Sequence, residues 1–444
     1  MATPYNIHVK PHESGLLRFS QDNASADKVS ELLQKDIENH HVFFNTGGFH
    51  NHIPHHLLTL YGTGAGPSAL QAAFSKNASY QIRASTPDSS IVGELQTDYP
   101  AAAPKYLGKG KHYAAFLRFF QTEMETKSWQ DVLKEYIFKE DDATAKDLYE
   151  RLFAGFLHPM IQLMFGVEWQ QPAIVAEALA QTAVHDNWLG GFLAEAEKRA
   201  EQLEPGTYRP LTELFEELHD KKHAKLAQSA RLDDSQKIRD GVMARAPEEA
   251  LDYISQIKVR PEELEERTAE MAHNAAYIAA ASSWHPPHVP KYDFFLIHHL
   301  NAVPIFLTIN EQAWIPTALK VRFLEWKMRI DVVQYIARGC PPLHPEALHS
   351  FAMKDGTAAS EPKELLPRFH GIMDDGHTIK VARSLLIAQE QTNKFGEDKP
   401  WLKIKGDDWL RAHYLLLEGT EGEQDSNWVR SAGFEGAWKD VPKL

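Results

Sequence analysis

Apolar positions in this chain recur mostly every three to four residues, the spacing of helices with one buried face. In "ASADKVSELLQKDIENHH", Val29, Leu32, Leu33 and Ile37 share one side. The longer "DATAKDLYERLFAGFLHPMIQLMFGVEW" carries Leu148, Leu152, Gly155, Phe156 and Leu163 along a stripe that predicts one long buried helix. "PEELEERTAEMAHNAAYIAAASSW" opens with carboxylates, which suit the positive end of a helix, and then turns small and apolar. "DFFLIHHLNAVPIFLTI" and "DDGHTIKVARSLLIAQEQ" complete the set. No series of alternating strands with hairpin turns is visible, and only "YNIHVK" near the N-terminus predicts a short extended piece. The polar stretches around 86–105, 219–248 and 354–364 read as surface loops or helix connections, and no repeat of 20 to 50 residues is present. The expected fold is mostly α: a single large helical domain over 1–444 with long connections and little β. A division, if any, falls in the polar connection 219–248.

Composition narrows the function. The 444 residues are 43% hydrophobic, enough for a sizeable core, and the net charge of −14 disfavours nucleic acid and anionic membranes as partners. No apolar run approaches the roughly 20 residues of a membrane helix, and "MATPYNIHVKPHESG" lacks the signature of a secretory signal. The expected location is therefore intracellular, cytoplasmic, the terminal "PKL" being only a loose likeness to the peroxisomal "SKL". A single cysteine, Cys340, excludes an intrachain disulfide and a cysteine-built zinc cluster. Histidine, at 23 residues, is the unusual count. Any metal site here would be built from imidazole and oxygen, which favours iron, zinc, copper or manganese.

The glycine turn "GTGAG" from Gly62 follows a helix-like segment and lacks the strand and the G-x-G-x-x-G spacing of a dinucleotide loop. It reads as a helix end, with Ser68 as cap of the next helix. In "FHNHIPHHLLTLY", Pro54 suits a first helical turn, so His52 precedes the helix while His55 and His56 begin it. His158 lies in an apolar helix before Pro159, and His298 lies among Phe294, Phe295 and Ala302. For any one of these the ordinary role, satisfying nearby backbone groups or facing water, outweighs that of a ligand. In "DDGHTIKVARSLL" Asp374 or Asp375 caps a helix, and His377 and Lys380 stand on one face. Lys380 either pairs with a carboxylate or, if buried, loses its proton and becomes able to form a carbamate with carbon dioxide. No zincin motif or nucleophile elbow is present, so spacing alone carries no named function.

Taken together, "HNHIPHHLLTLYGTGA", "FLHPMIQLMFG", "FFLIHHLNA" and "DDGHTIKVARSL" resemble the questin oxidase-like family, in the expected order and over about residues 27 to 390. The resemblance implies a mostly helical oxygenase of fungal polyketide metabolism that opens a ring of an anthraquinone-type substrate. Within the family a Baeyer–Villiger-type oxidase uses NADPH, and a related member is a non-haem iron dioxygenase whose iron is held by four histidines and a carboxylated lysine. Carried over by motif, these ligands are His52, His158, His298, His377 and Lys380, the last carboxylated by CO2. His55 matches a histidine that helps remove a substrate proton. Asn301 replaces the family's frequent threonine three residues after His298, a position suited to hydrogen-bonding the substrate. "YGTGA" likewise replaces the commoner "YALGA".

The resemblance therefore implies Fe(II)/Fe(III) at the site, dioxygen and an aromatic polyketide as reaction partners, and NADPH as a candidate reductant. Phe294, Phe295 and Trp284 are candidates to stack on a flat substrate, with core packing as their ordinary role. Two other readings stay open at this stage. A hydrolase would use the same histidines and carboxylated lysine around a different metal, and a non-catalytic helical protein would keep the fold while binding a metabolite or a partner.

Overall fold

Short polar side chains start many of the helices by accepting from the first free backbone N–H groups. Asp22 accepts from Ser25 N ahead of Asn23–Asn39, Asp142 from Thr144 N and Ala145 N ahead of Ala143–Arg151, and Asp293 from Phe295 N and Leu296 N ahead of Phe294–Asn301. The computed structural model describes residues 1–45, 47–203, 209–353, 359–396, 398–422 and 427–444. Among these the chain is mostly α, and extended backbone pairs only at isolated bridges such as Phe43 with His50.

Several predicted elements take a different form. The stretch from 142 to 169 is not one helix: Ala143–Arg151 ends, Gly155, Phe156 and Leu157 take left-handed φ values of 54°, 54° and 66°, and a new helix runs His158–Glu168. Pro159 is the reason. A proline has no N–H and fits only the first turn of a helix, so the helix begins just before it. His158 is thus the first residue of a helix, not an interior one. Likewise "DFFLIHHLNAVPIFLTI" forms two helices, Phe294–Asn301 and Pro304–Asn310.

"YNIHVK" buries alternate residues Ile7 and Val9 as predicted, yet it pairs with side chains and not with a strand. Ile7 N donates to Gln34 Oε1, His8 N to Gln171 Oε1 and Val9 N to Ser30 Oγ. The stretch 86–105 is helical, as Ser89–Thr97 and Tyr99–Tyr106. Gly66, not Ser68, precedes the first turn of Pro67–Ala78. The 354–358 part of the third polar stretch lies outside the described residues.

The helices group into two compact units. The first comprises Met1–Gly190, Leu307–Pro316 and Met373–Lys380, the second Gly191–Phe306, Thr317–Ile372 and Val381–Leu444. The polar stretch 219–248 lies inside the second unit and contains short helical turns. In the first unit His158–Glu168 packs on Pro172–Val184, which packs on Tyr113–Thr126, while Ile53–Gly62 packs on Pro67–Ala78, Asn23–Asn39 and His158–Glu168. Ile53–Gly62, His158–Glu168 up to Val167 and nearly all of Pro172–Val184 are buried on every side, so none of them shows a polar face.

In the second unit the helix Thr317–Ala337 contacts Leu264–Ala281, Phe294–Asn301 and Pro247–Ile254. Its buried charges are paired along the helix. Lys327 Nζ lies 2.6 Å from Asp331 Oδ2 and Arg329 Nη2 3.0 Å from Glu325 Oε2, as burial of a charge requires.

Candidate metal centre

His52 is the residue just before the helix Ile53–Gly62, and His158 opens the helix that packs against it. Their rings lie nearly parallel, with Nε2 atoms 2.9 Å apart. The other ring nitrogen of each is committed. His158 Nδ1 donates to Gly155 O at 2.6 Å, and His52 Nδ1 donates to Asp375 Oδ2 at 3.1 Å. A neutral imidazole has one ring proton, so both Nε2 atoms carry lone pairs and face each other with no proton between them. Two nitrogens at right angles on one metal, each about 2.1 Å from it, would sit about 3 Å apart. The pair is arranged as two adjacent ligands.

His377 extends the arrangement. Asp374 accepts from Gly376 N, Thr378 N and Thr378 Oγ1 and so caps the helix His377–Thr392, which leaves Asp375 to turn toward the imidazoles. Asp375 Oδ1 accepts from His377 Nδ1 at 2.5 Å, so one carboxylate holds two histidines in the same tautomer. Atoms of His52, Asp375 and His377 able to bind a metal lie within 4.8 Å of one another. The Asp375 carboxyl is held well below its ordinary range: burial opposes this, but His377 and the hydrogen bonds from both rings outweigh it. His52 is pushed down to about 3, by burial first and by the Lys380 ammonium second. It is therefore a neutral imidazole, the form that binds metals.

Lys380 stands one turn beyond His377 and is 3% exposed. Burial lowers its ammonium to about 8, with Asp375 and Asp374 opposing the shift. Among the described residues its ammonium makes no hydrogen bond or ion pair, while its backbone N–H donates to Gly376 O. Near neutral pH roughly a tenth of such an amine is unprotonated, against a negligible fraction of an exposed lysine.

His55 is fully buried, its ring stacked on Phe165 at 5.2 Å and its Nε2 2.6 Å from Gln162 Oε1. Its Nδ1 has no partner among the described residues. His56 behaves differently: its Nδ1 accepts from Asn77 Nδ2 at 3.2 Å, and it ties helices together. The first unit thus brings together His52, His158, His377, Lys380 and His55.

His298 and Asn301 belong to the second unit. His298 Nδ1 donates to Phe294 O at 2.6 Å, again leaving Nε2 with the lone pair. Asn301 is 2% exposed, and both its amide atoms lack a partner among the described residues. Of the candidate stacking residues, Phe294 lies 4.1 Å from the Arg430 guanidinium, Phe295 4.1 Å from that of Arg338, and Trp284 meets Phe351 edge-on. The four histidines matched by motif to the family's ligands all direct Nδ1 to an acceptor oxygen, which leaves the lone pair on Nε2. Spacing did not single out Asp375 or Gln162 for these roles. The only signals were an aspartate doublet just before "GH" and a glutamine one turn after His158.

The glycine turn is structural: Gly64 adopts φ 90° after the helix end at Gly62, where a Cβ would stand 2.9 Å from Trp169 Cζ2.

Comparison with known proteins agrees with the motifs. The model of the questin oxidase-like family matches residues 49–385. Over its full length the chain is 34% identical to an oxidoreductase, AflY, of Aspergillus parasiticus, covering 94% of that protein. It is 36% identical, also over its full length, to a Baeyer–Villiger oxidase, ptaJ, of Pestalotiopsis fici, covering 99% of it. A questin oxidase of Aspergillus fumigatus is 32% identical with complete coverage of both chains. The chain is an oxidoreductase and belongs to the questin oxidase-like family.

Proposed function

We propose that this protein is a metal-dependent, most simply iron-dependent, oxygenase that opens a ring of an anthraquinone-type polyketide. The observation that carries the metal is the pair of Nε2 lone pairs of His52 and His158, 2.9 Å apart with no proton to share. Such an arrangement is repulsive without a cation and favourable with one. His377 and Lys380 adjoin it, and His298 completes the set by its motif. Four imidazoles leave a divalent charge uncompensated. A neutral Lys380 amine forms an N–C bond to carbon dioxide, loses one proton, and becomes an anionic oxygen donor that offsets part of it. Iron held by these groups would supply activation of dioxygen. The substrate class rests on the relatives, which are named for questin and for Baeyer–Villiger oxidation.

The protein's own groups handle protons and orientation. Asp375 holds His52 and His377, and His55, with one nitrogen unpartnered, takes a proton from the substrate. Asn301 has an amide free to hydrogen-bond it. The relatives named for Baeyer–Villiger oxidation also favour a second reading of the same site, insertion of one oxygen atom, for which NADPH is the candidate reductant.

The test is metal analysis of protein purified without chelators, followed by oxygen uptake with questin in the presence and absence of NADPH. About one iron per chain and uptake without NADPH is the expected result, and uptake only with NADPH selects the second reading. Zinc as the active metal with no oxygen uptake would replace the oxygenase by a hydrolase.

A further inference from the structure

Among the buried groups near His55, two polar side chains take no part in the metal set. His55 Nε2 lies 2.6 Å from Gln162 Oε1, Gln162 Nε2 donates to Glu177 Oε2 at 3.2 Å, and Tyr113 Oη lies 3.4 Å from Glu177 Oε1. This line runs from Ile53–Gly62 through His158–Glu168 and Pro172–Val184 to Tyr113–Thr126, four helices of one unit. Gln162 is 1% and Glu177 5% exposed, so water does not compete for these contacts. Gln162 stands one turn after His158 and shares its face of the helix.

The direction of the chain follows from what each group can do. An amide has one donating and one accepting end. Gln162 Nε2 donates to Glu177 Oε2, which therefore accepts, as in an ionised carboxylate or a carboxyl protonated on Oε1. Gln162 therefore turns its NH2 to Glu177 and its carbonyl to His55, and a carbonyl oxygen only accepts. The ring proton of His55 is thus on Nε2, and its buried, unpartnered Nδ1 holds the lone pair. The ring stacks on Phe165 at 14°, and the Nε2 contact with Gln162 distinguishes this orientation from the ring turned by 180° about Cβ–Cγ.

We propose that Gln162 and Glu177 are positioning residues that fix His55 in the Nε2–H tautomer, so that Nδ1 is the atom that takes a proton from a phenolic hydroxyl of the substrate. The choice of substrate group rests on the oxygenase reading above. In this step the substrate O–H bond breaks and an Nδ1–H bond forms. The electron pair stays on the aryloxide, and the resulting imidazolium keeps its Nε2–H on the Gln162 carbonyl. Return of the proton to product restores the base. Three of the four metal-site histidines carry the opposite tautomer by the bonds described above, and His298 joins them. One helix therefore sets both kinds: Gly155 O fixes His158 at its start, and Gln162 fixes His55 a turn later.

The experiment labels histidine with ¹⁵N and reads the two ring nitrogens of His55 by NMR in the full chain, with zinc replacing any paramagnetic metal. The signal is assigned as the one lost in His55→Gln. The expected spectrum has Nε2 protonated and Nδ1 bare; a protonated Nδ1 overturns the proposal. In Gln162→Leu the single tautomer should give way to a mixture, metal content should hold, and kcat with questin should fall about a hundredfold at little-changed KM. The swap Gln162→Glu with Glu177→Gln restores an acceptor for His55 and a donor between helices, so it should recover the tautomer and most of kcat. An unchanged tautomer in Gln162→Leu, or a swap that folds and leaves His55 mixed, overturns the proposal. If the wild type shows the expected tautomer but consumes no oxygen with questin, the positioning stands and the oxygenase reading falls.

Discussion

Asp375 accepts from two imidazoles at once, and an asparagine there could not. Its amide would offer one oxygen to an Nδ1–H and turn an N–H toward the other. Either His52 or His377 would then lose its acceptor and the tautomer that leaves Nε2 open to the proposed metal. Loss of such a supporting partner weakens metal binding about 10–100-fold. Asp375→Asn should therefore fall by that factor in a chelator competition while keeping its helical circular dichroism. Equal affinity would remove Asp375 from the site. The motifs name His52, His158, His298, His377 and Lys380 as candidates, because each motif is short and local, and of these the first unit brings together His52, His158, His377 and Lys380. The Asp375 clamp was not legible, since a carboxylate before "GH" reads equally well as a cap. The structure gives the capping to Asp374 and so frees its neighbour.

At the scale of elements, periodicity located the helices and misjudged their breaks. The stripe over 142–169 continues through a break because the left-handed residues there still bury Leu157. Local chemistry, Pro159 and Gly155, marked the break that periodicity missed. Ile53–Gly62 and Pro172–Val184, buried on nearly every side, gave no stripe, so packing partners could not be read from them. Gly155 illustrates what the break requires. It has φ 54°, and a Cβ there would stand 2.5 Å from His185 Cε1, whereas Gly48, at φ 77°, has open space around its Cβ position. Alanine at either site takes a left-handed backbone that costs about 1–2 kcal/mol. Only Gly155→Ala adds the crowding, about 1–3 kcal/mol more. Urea unfolding should show Gly155→Ala less stable than Gly48→Ala, and metal content should drop in Gly155→Ala alone, because Gly155 O holds His158. Equal losses in the two variants would mean that the break is not set by this contact.

Over the whole molecule, the helical class was legible from composition and period, whereas the grouping into two units was not. Each unit is assembled from segments distant in the chain, and no linker composition marks their borders. What the units share is buried neutral histidine, and this dictates a response to acid. In the second unit His273 is fully buried, and its Nε2 accepts from Lys403 N at 2.8 Å, a contact only an unprotonated nitrogen can make. Burial, with the Lys403 ammonium adding to it, pushes His273 down to about 3. In the unfolded chain it titrates near its ordinary 6.5. Between these values the unfolded state binds the proton and the folded state does not, so its contribution to stability falls as pH falls from about 6.5 and is fully lost near 3. The slope is about 1.4 kcal/mol per pH unit for this one group. Buried carboxylates raised in the fold, Asp36, Glu177 and Asp293 among them, bend the total curve the other way in the same region. A difference between proteins isolates the histidine. His273→Gln should be less stable than wild type at pH 7, through its altered packing. That gap should narrow by about 1.4 kcal/mol for each unit between pH 6 and 4, measured by urea unfolding of metal-free protein. Parallel stability curves would show that His273 takes up its proton in the folded state as readily as in the unfolded one. The neutral imidazole holding the Lys403 backbone would then not be what this part of the core depends on.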